Sequence, residues 1–259
     1  MGHPPEVIMR ALPGLPEVRA GDDLTAFVAD ALARAELALE PGDILVLAHK
    51  VVSKAEGRVF RLEDVHPSDE AMRLAKEVRK DPAKVELILR ESRKILRIKP
   101  PTSERESVLI CLHRLGLIMA NAGIDESNVP DGGSVVLLPE DPDASACALR
   151  KGLEQRFGTA PGVIIADSFG RPWRMGLVNV AIGLAGVPGL VDLTETQDAH
   201  GRPLRATIPA FADEVAAAAG LLMHKSAGIP AVLVRGLQWE AGEDRAESML
   251  RPEADDLFR

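Results

Sequence analysis

The stretch ADSFGRPWRMG, residues 166–176, gathers an acid, a hydroxyl, two arginines, a tryptophan and two glycines. Asp167 and Ser168 side by side at a strand end offer oxygen ligands for a hard metal ion. Arg171 and Arg174 read as anion clamps, because guanidinium groups grip phosphate or carboxylate bidentately, and Trp173 is placed to pack on a flat ligand or to cover the site. As one loop, this set asks for a phosphorylated substrate. Two further stretches put polar groups just after apolar runs, where strand ends favour site residues. HKVVSKAEGR carries His49, Lys50, Lys54 and Arg58, and NAGIDESN carries Asn121, Asp125 and Asn128. Singly, each has a plain structural reading: the cations as a solvated face, Asp125 as a turn or cap residue, Asp167-Ser168 as a helix cap, Trp173 as packing. In combination they suggest two acids meeting at a metal with lysines and arginines around it. That set suits phosphoryl transfer, where catalysis is mostly positioning and charge stabilisation.

The elements that must position these groups are legible in the hydrophobic pattern. GDDLTAFVADALARAELAL predicts an amphipathic helix capped by Asp22 or Asp23, with Leu24, Phe27, Val28 and Leu32 at helical spacing. DILVLAHK, after the turn EPGD, predicts a buried strand ending at His49-Lys50. HPSDEAMRLAKEVRK and PAKVELILRES predict two helices, and RKILRI, SVLICLHR and GLIMA three strands. SVVLLPEDPDASACALRKGLEQRFG predicts a strand, a proline-rich turn and a helix capped by Asp141 or Asp143, followed by the strand PGVIIAD. TETQDAHGRPLRATIP is polar and turn-rich, and is followed by the helix AFADEVAAAAGLLMHKSAG and the strand PAVLVRG. Helices and strands alternate only in places, which predicts an α+β fold with a mixed sheet rather than a regular doubly wound one. No internal repeat and no low-complexity linker marks a domain boundary. The expectation is one unit over residues 1–259, possibly made of two interwoven subdomains.

Composition narrows the function. A chain of 259 residues with 46% hydrophobic and 27% charged content is long enough for a sizeable core and typical of a globular protein. A formal charge of -8 argues against nucleic-acid binding through a broad basic surface. Cys111 and Cys147 form no CxxC pair, so neither a disulfide framework nor a zinc ribbon is expected, and a reducing cytoplasm fits best. The start MGHPPEVIMRALPG lacks the features of a secretory signal. The longest apolar run, GLVNVAIGLAGVPGLV, holds Asn179, Pro188 and four glycines and is too short to span a bilayer comfortably, so no membrane association is expected. No G-x-x-x-x-G-K-[ST] occurs, and IGLAGVPG lacks the G-x-G-x-x-G spacing, which excludes the two commonest nucleotide-loop signatures.

The set GLPEV, HKVVSKAEGR, NAGIDESN, ADSFGRPWRMGLVNVAIG and GIPAVLVRGL, in this order and spacing, resembles the coenzyme F420-0:gamma-glutamyl ligase family, often called CofE, over nearly the whole chain. The resemblance implies a CofE-like mixed-sheet fold in an intertwined homodimer. It implies a GTP-dependent enzyme that joins L-glutamate to the lactyl-phosphate side chain of coenzyme F420-0 through an acyl phosphate, with Mn2+ or Mg2+ and with K+ as a further activator. Residue by residue, it implies ligation of the principal metal by Asp125 and Asp167, with Ser168 as the hydroxyl of a second metal. It implies GTP contacts at Leu15, Pro16, Glu17, Val18, His49, Lys50, Lys54 and Asn128, with Lys54 neutralising phosphate charge. Arg171 and Arg174 are assigned to the cofactor's phosphate or carboxylate on chemical grounds alone, and with Lys54 they form the expected catalytic set. After LLM the family carries an acidic or amide side chain that helps bind a second metal, whereas here the segment reads HKSAG with Lys225 near that position. An ammonium cannot ligate a cation, so either Lys225 supplies positive charge toward the nucleotide or another residue serves. The chain ends soon after the last motif, which fits a stand-alone ligase without a fused reductase domain. Two other readings are a glutamyl ligase with a folate or pterin acceptor and a non-catalytic nucleotide-binding homologue.

Overall fold

The computed structural model describes residues 6–103, 106–127, 132–194, 196–223 and 228–256. The chain divides into two compact units, each discontinuous in sequence: Met1–Ala55 with Pro139–Met249, and Glu56–Leu138 with Leu250–Arg259.

The first unit is built on a five-stranded sheet in the order β1 (Ile8–Ala11), β10 (Ala231–Arg235), β2 (Ile44–Ala48), β8 (Gly162–Arg171), β9 (Arg174–Ala185). Only β2 and β8 run parallel, so the sheet is mixed, in agreement with the α+β expectation. The central strands are apolar on both faces because helices cover both. One face, with Ile44, Val46, Ile164, Ala166, Val232 and Val234, packs on Ala212, Val215, Ala216 and Ala219 of α6 (Phe211–Gly220). Helices α1 (Leu24–Arg34), α2 (His49–Ala55) and α5 (Pro142–Phe157) complete this unit. Asp23, not Asp22, caps α1 by accepting from the Ala26 N–H at 3.1 Å, and Asp141 caps α5 by accepting from Ala144 at 3.1 Å.

Strand β9 lies at the sheet edge, where unpaired N–H groups need acceptors. Two acids, buried Asp143 and half-buried Asp213, supply them. Asp213 of α6 accepts from Ala181 N and Asp143 of α5 from Leu184 N, both at 2.8 Å, on either side of a register shift between Ile165 and Ala166 on β8. Burial raises the pKa of both carboxyls, against the lowering effect of these same backbone hydrogen bonds.

The second unit holds α3 (Asp69–Val78) and α4 (Pro82–Glu91), an antiparallel sheet of β4 (Ser92–Lys99), β5 (Val108–His113) and β6 (Ile118–Ala120), and a ribbon of β3 (Val59–Arg61) with β7 (Ser134–Val136). Ala71, Ala75, Val78, Val85, Ile88, Leu109 and Cys111 form one apolar cluster there, and Val65, Leu87, Val135 and Leu137 belong to another. Among the described residues no helix is long and apolar enough to cross a membrane.

Candidate active site

ADSFGRPWRMG is not a loop. Strand β8 runs through Asp167 and Ser168 to Arg171, turns over Pro172-Trp173, and returns as β9 from Arg174, so the whole stretch is an antiparallel ribbon. Pro172 at the first central position and Trp173 at φ 62° at the second follow the pattern of a type II turn. In the ribbon Asp167 and Ser168 are neighbours in sequence that turn to different partners. Successive strand residues face opposite ways. Asp167 meets His49 of α2, whereas Ser168 meets Asn179, its register partner on β9.

Around Asp167 the geometry is open. Oδ1 accepts from the Ser168 N–H at 2.6 Å and lies 3.3 Å from His49 Nε2, while no Lys or Arg among the described residues pairs with the carboxylate. His49 itself is only 2% exposed, with Nδ1 3.2 Å from Ser53 Oγ and Nε2 buried without a hydrogen-bond partner. Its ring therefore faces the carboxylate rather than solvent. On the other side of the ribbon, Ser168 Oγ donates to Asn179 Oδ1 at 3.0 Å.

The remaining first-unit candidates cluster partly. Lys54 is 8% exposed, and its ammonium meets Glu17 Oε1 at 2.5 Å, which ties the irregular LPEV segment to α2. Within that segment Val18 is buried, Leu15 half-buried, and Pro16 exposed. Lys50 is half-buried on the first turn of α2. Arg171 and Arg174 flank the exposed ribbon tip, three residues and thus about 10 Å along the strand from Ser168 in the case of Arg171. Arg171 Nη2 donates to Met175 O at 3.2 Å.

Asp125 belongs to the second unit. Its backbone bridges Val136 and its Oδ1 accepts from Ser127 N at 2.7 Å. It follows a turn in which Asn121, Ala122 and Gly123 all have positive φ, at 50°, 51° and 70°. Two non-glycine residues in that region cost about 1 kcal/mol or more each, and such strain concentrates at functional sites. Asn121 is not aimed at a ligand: its Oδ1 accepts from Leu109 N at 3.2 Å. Arg58 is neither an anion clamp nor a solvated cation. It donates to Glu91 Oε1 at 2.7 Å and to Leu138 O at 3.0 Å. Asn128 and Lys225 lie outside the described residues. Asn179, which touches Ser168, was missed from sequence because it sits inside an apolar run. Its pairing opposite Ser168 is the signal, and it is readable only once the ribbon is known.

A family model described as F420-0:Gamma-glutamyl ligase matches residues 14–236. The chain belongs to this family. Among curated proteins it is 45% identical over 264 residues to the coenzyme F420:L-glutamate ligase of Methanopyrus kandleri, covering 100% of each chain. It is 43% identical to the protein of that name from Methanothermobacter thermautotrophicus, covering 95% of this chain and 96% of the other. The similarly named Archaeoglobus fulgidus protein is 41% identical, with 95% and 94% covered. The match spans Leu15 through Lys225, so every candidate residue falls inside it.

Proposed function

We propose that this chain is a ligase that joins L-glutamate by amide bonds to the lactyl-phosphate side chain of coenzyme F420-0 at the expense of GTP. The observation that carries the reading is Asp167, a half-buried carboxylate with no basic side chain among the described residues beyond His49 to neutralise it, inside the span matched by the family. A carboxylate left in that state suits a cation. The donors fit a hard ion: Oδ2 of Asp167 takes no hydrogen bond among the described residues, and Ser168 Oγ, whose proton goes to Asn179, keeps its lone pairs. Asp167 is assigned to Mg2+ or Mn2+, and Ser168 to the second metal that the resemblance implies. Asp125 is read as a cation-ligating carboxylate as well, on the strength of its strained approach turn. A bound divalent ion supplies charge that offsets the anion formed as the phosphoryl group transfers.

In the proposed reaction an oxygen of the acceptor's terminal carboxylate attacks the γ-phosphorus of GTP, and the bond to the departing GDP oxygen breaks. The glutamate amine then attacks the carbonyl carbon of the acyl phosphate. The carbon–oxygen bond to phosphate breaks, phosphate leaves, and the nitrogen gives up its proton to solvent. Both steps bring anions together, so the protein must reduce their repulsion. Lys54, held in place by Glu17, is the ammonium assigned to the nucleotide phosphates, with Leu15 to Val18 and Lys50 around it. Arg171 and Arg174 are assigned to the acceptor's phosphate or carboxylate.

A homodimer belongs to the same proposal. Trp173, Met175 and Leu177 are 85%, 98% and 62% exposed on one ribbon, an apolar strip that a second copy of the chain would cover. Light scattering should return twice the chain mass.

The test of activity is mass spectrometry after incubation with L-glutamate, GTP, Mn2+ or Mg2+, K+ and either F420-0 or a folate monoglutamate. Glutamyl mass increments on F420-0 with GDP release are expected. Extension of the folate alone, or no product with either, overturns the assignment.

A further inference from the structure

The first unit carries a cavity at the end of its sheet away from Asp167. Strands β2 and β8 run parallel, and Pro41, Gly42 and Thr159, just before them, line it together with Arg150 of α5 and with Leu237 and Trp239 beyond β10. Its volume of about 590 Å³ suits a small organic molecule. His49 and Asp167 lie toward the other ends of the same strands, roughly 20 Å away at a strand's rise per residue.

Among the described residues lining the cavity, Arg150 alone is charged. Its Nε is buried without a hydrogen bond, and no carboxylate among the described residues pairs with the guanidinium. The three other half-buried arginines among the described residues are all matched: Arg58 and Arg114 donate to Glu91, and Arg235 donates to Asp43. A guanidinium partly withdrawn from water and left unmatched costs stability. This one is nonetheless given a fixed place. A Cβ at Gly186 would collide with Arg150 Nε, so the head lies against bare backbone at φ 70°, a conformation that favours glycine. Another wall of the cavity is an anchored indole. Trp239 packs on the core of the first unit, and its Nε1 donates to Gly42 O at 3.3 Å, so what it offers a ligand is ring surface.

We propose that this cavity binds a small organic anion, a carboxylate or a phosphate ester carried on a flat apolar body. The guanidinium takes either head through paired hydrogen bonds, and the indole and Leu237 take the body. The Thr159 hydroxyl adds one neutral donor and acceptor. No acidic side chain in the described lining competes for Arg150. The site stands apart from the Asp167 centre and does not depend on the ligase reading.

The experiment uses the full chain with Trp173→Phe, an exposed position, which leaves Trp239 as the single indole of two tryptophans. The probes are 4-nitrobenzoate and 4-nitrophenylphosphonate, whose rings quench the fluorescence of an indole they contact, with 4-nitrobenzamide as the uncharged control. Saturable quenching by at least one anion is expected, half-complete at about 1 mM for a fragment of this size, with the amide about tenfold weaker or more. Adding Arg150→Gln should weaken the anion about tenfold or more and bring it level with the amide, and Arg150→Lys, which keeps the charge without the fork, should lie between. If Arg150→Gln does not fold, the comparison of anion with amide on the Trp173→Phe chain reads the same charge dependence. Saturation by only one of the two anions upholds the site and identifies its head group. Quenching that never saturates, or that is equal for anions and amide, overturns the proposal, as does unchanged anion affinity in Arg150→Gln.

Discussion

Two acids in this chain each have a buried histidine Nε2 at 3.3 Å, and they have opposite fates. Glu91 in the second unit meets His113, and it also accepts from Arg58 at 2.7 Å and Arg114 at 3.0 Å. Burial works to raise its pKa, but His113 and the two guanidinium groups outweigh it and hold the carboxyl at about 2. The histidine's Nδ1 accepts from Leu115 N, so the ring's proton sits on Nε2, facing Glu91, and the two guanidinium groups close the node. Asp167 in the first unit has His49 and one backbone N–H, and no basic partner among the described residues. A carboxylate whose charge is already matched from several sides holds a structure together; one left under-matched keeps affinity for a cation. The contrast lies in the partners, since the acid–histidine distance is the same.

That contrast can be broken most sharply by neutralising each acid. Asp167→Asn should lower turnover by about a thousandfold or more with little change in thermal midpoint, because it removes charge where charge is used. Asp125→Asn should do the same. Glu91→Gln should instead leave two guanidinium groups facing a neutral amide and cost about 3 kcal/mol in denaturant unfolding.

A pH series sharpens the second half. Glu91 has a folded pKa of about 2, below its ordinary 4.5, so its contribution is fully present above about pH 4.5 and is lost as pH falls from there toward 2. The depression corresponds to about 3 kcal/mol. The stability difference between the unmodified chain and Glu91→Gln should therefore shrink across that window and be constant above it. A difference that does not change with pH between 4.5 and 2 would contradict the closed node.

The cations come next. Lys54→Ala should lower kcat/KM for GTP about a hundredfold, and Arg171→Ala or Arg174→Ala should raise the acceptor KM about tenfold, the smaller effect reflecting their exposed positions. Unchanged acceptor kinetics in both arginine variants would remove them from the site. The smallest effects separate the two histidines. His113→Gln should cost about 1 kcal/mol of stability with unchanged kinetics, and His49→Gln should reduce turnover several-fold with a smaller stability loss.

Much of this was legible in the residues. Capping aspartates, apolar runs and helical spacing located α1, β2, α5, β8 and β10 and the mixed sheet, because those signals are local. Gly170, Pro172 and Gly176 are breakers by type and so suggest a loop, yet here they serve the turn and an irregular register near the tip. The three-residue strand β3 and the edge strand β1 carry too little pattern to stand out. Arg58 and Glu91 are 33 residues apart, so nothing local marks Arg58 as part of a closed ion node. The division into two discontinuous units is a property of long-range contacts, and no composition shift announces it.

The most direct test of the central contrast is Mn2+ titration of the unmodified chain, Asp167→Asn and Glu91→Gln under conditions where all three are folded. Binding lost or weakened at least tenfold in Asp167→Asn and retained in Glu91→Gln is the expected result. Equal binding in Asp167→Asn and the unmodified chain would contradict it.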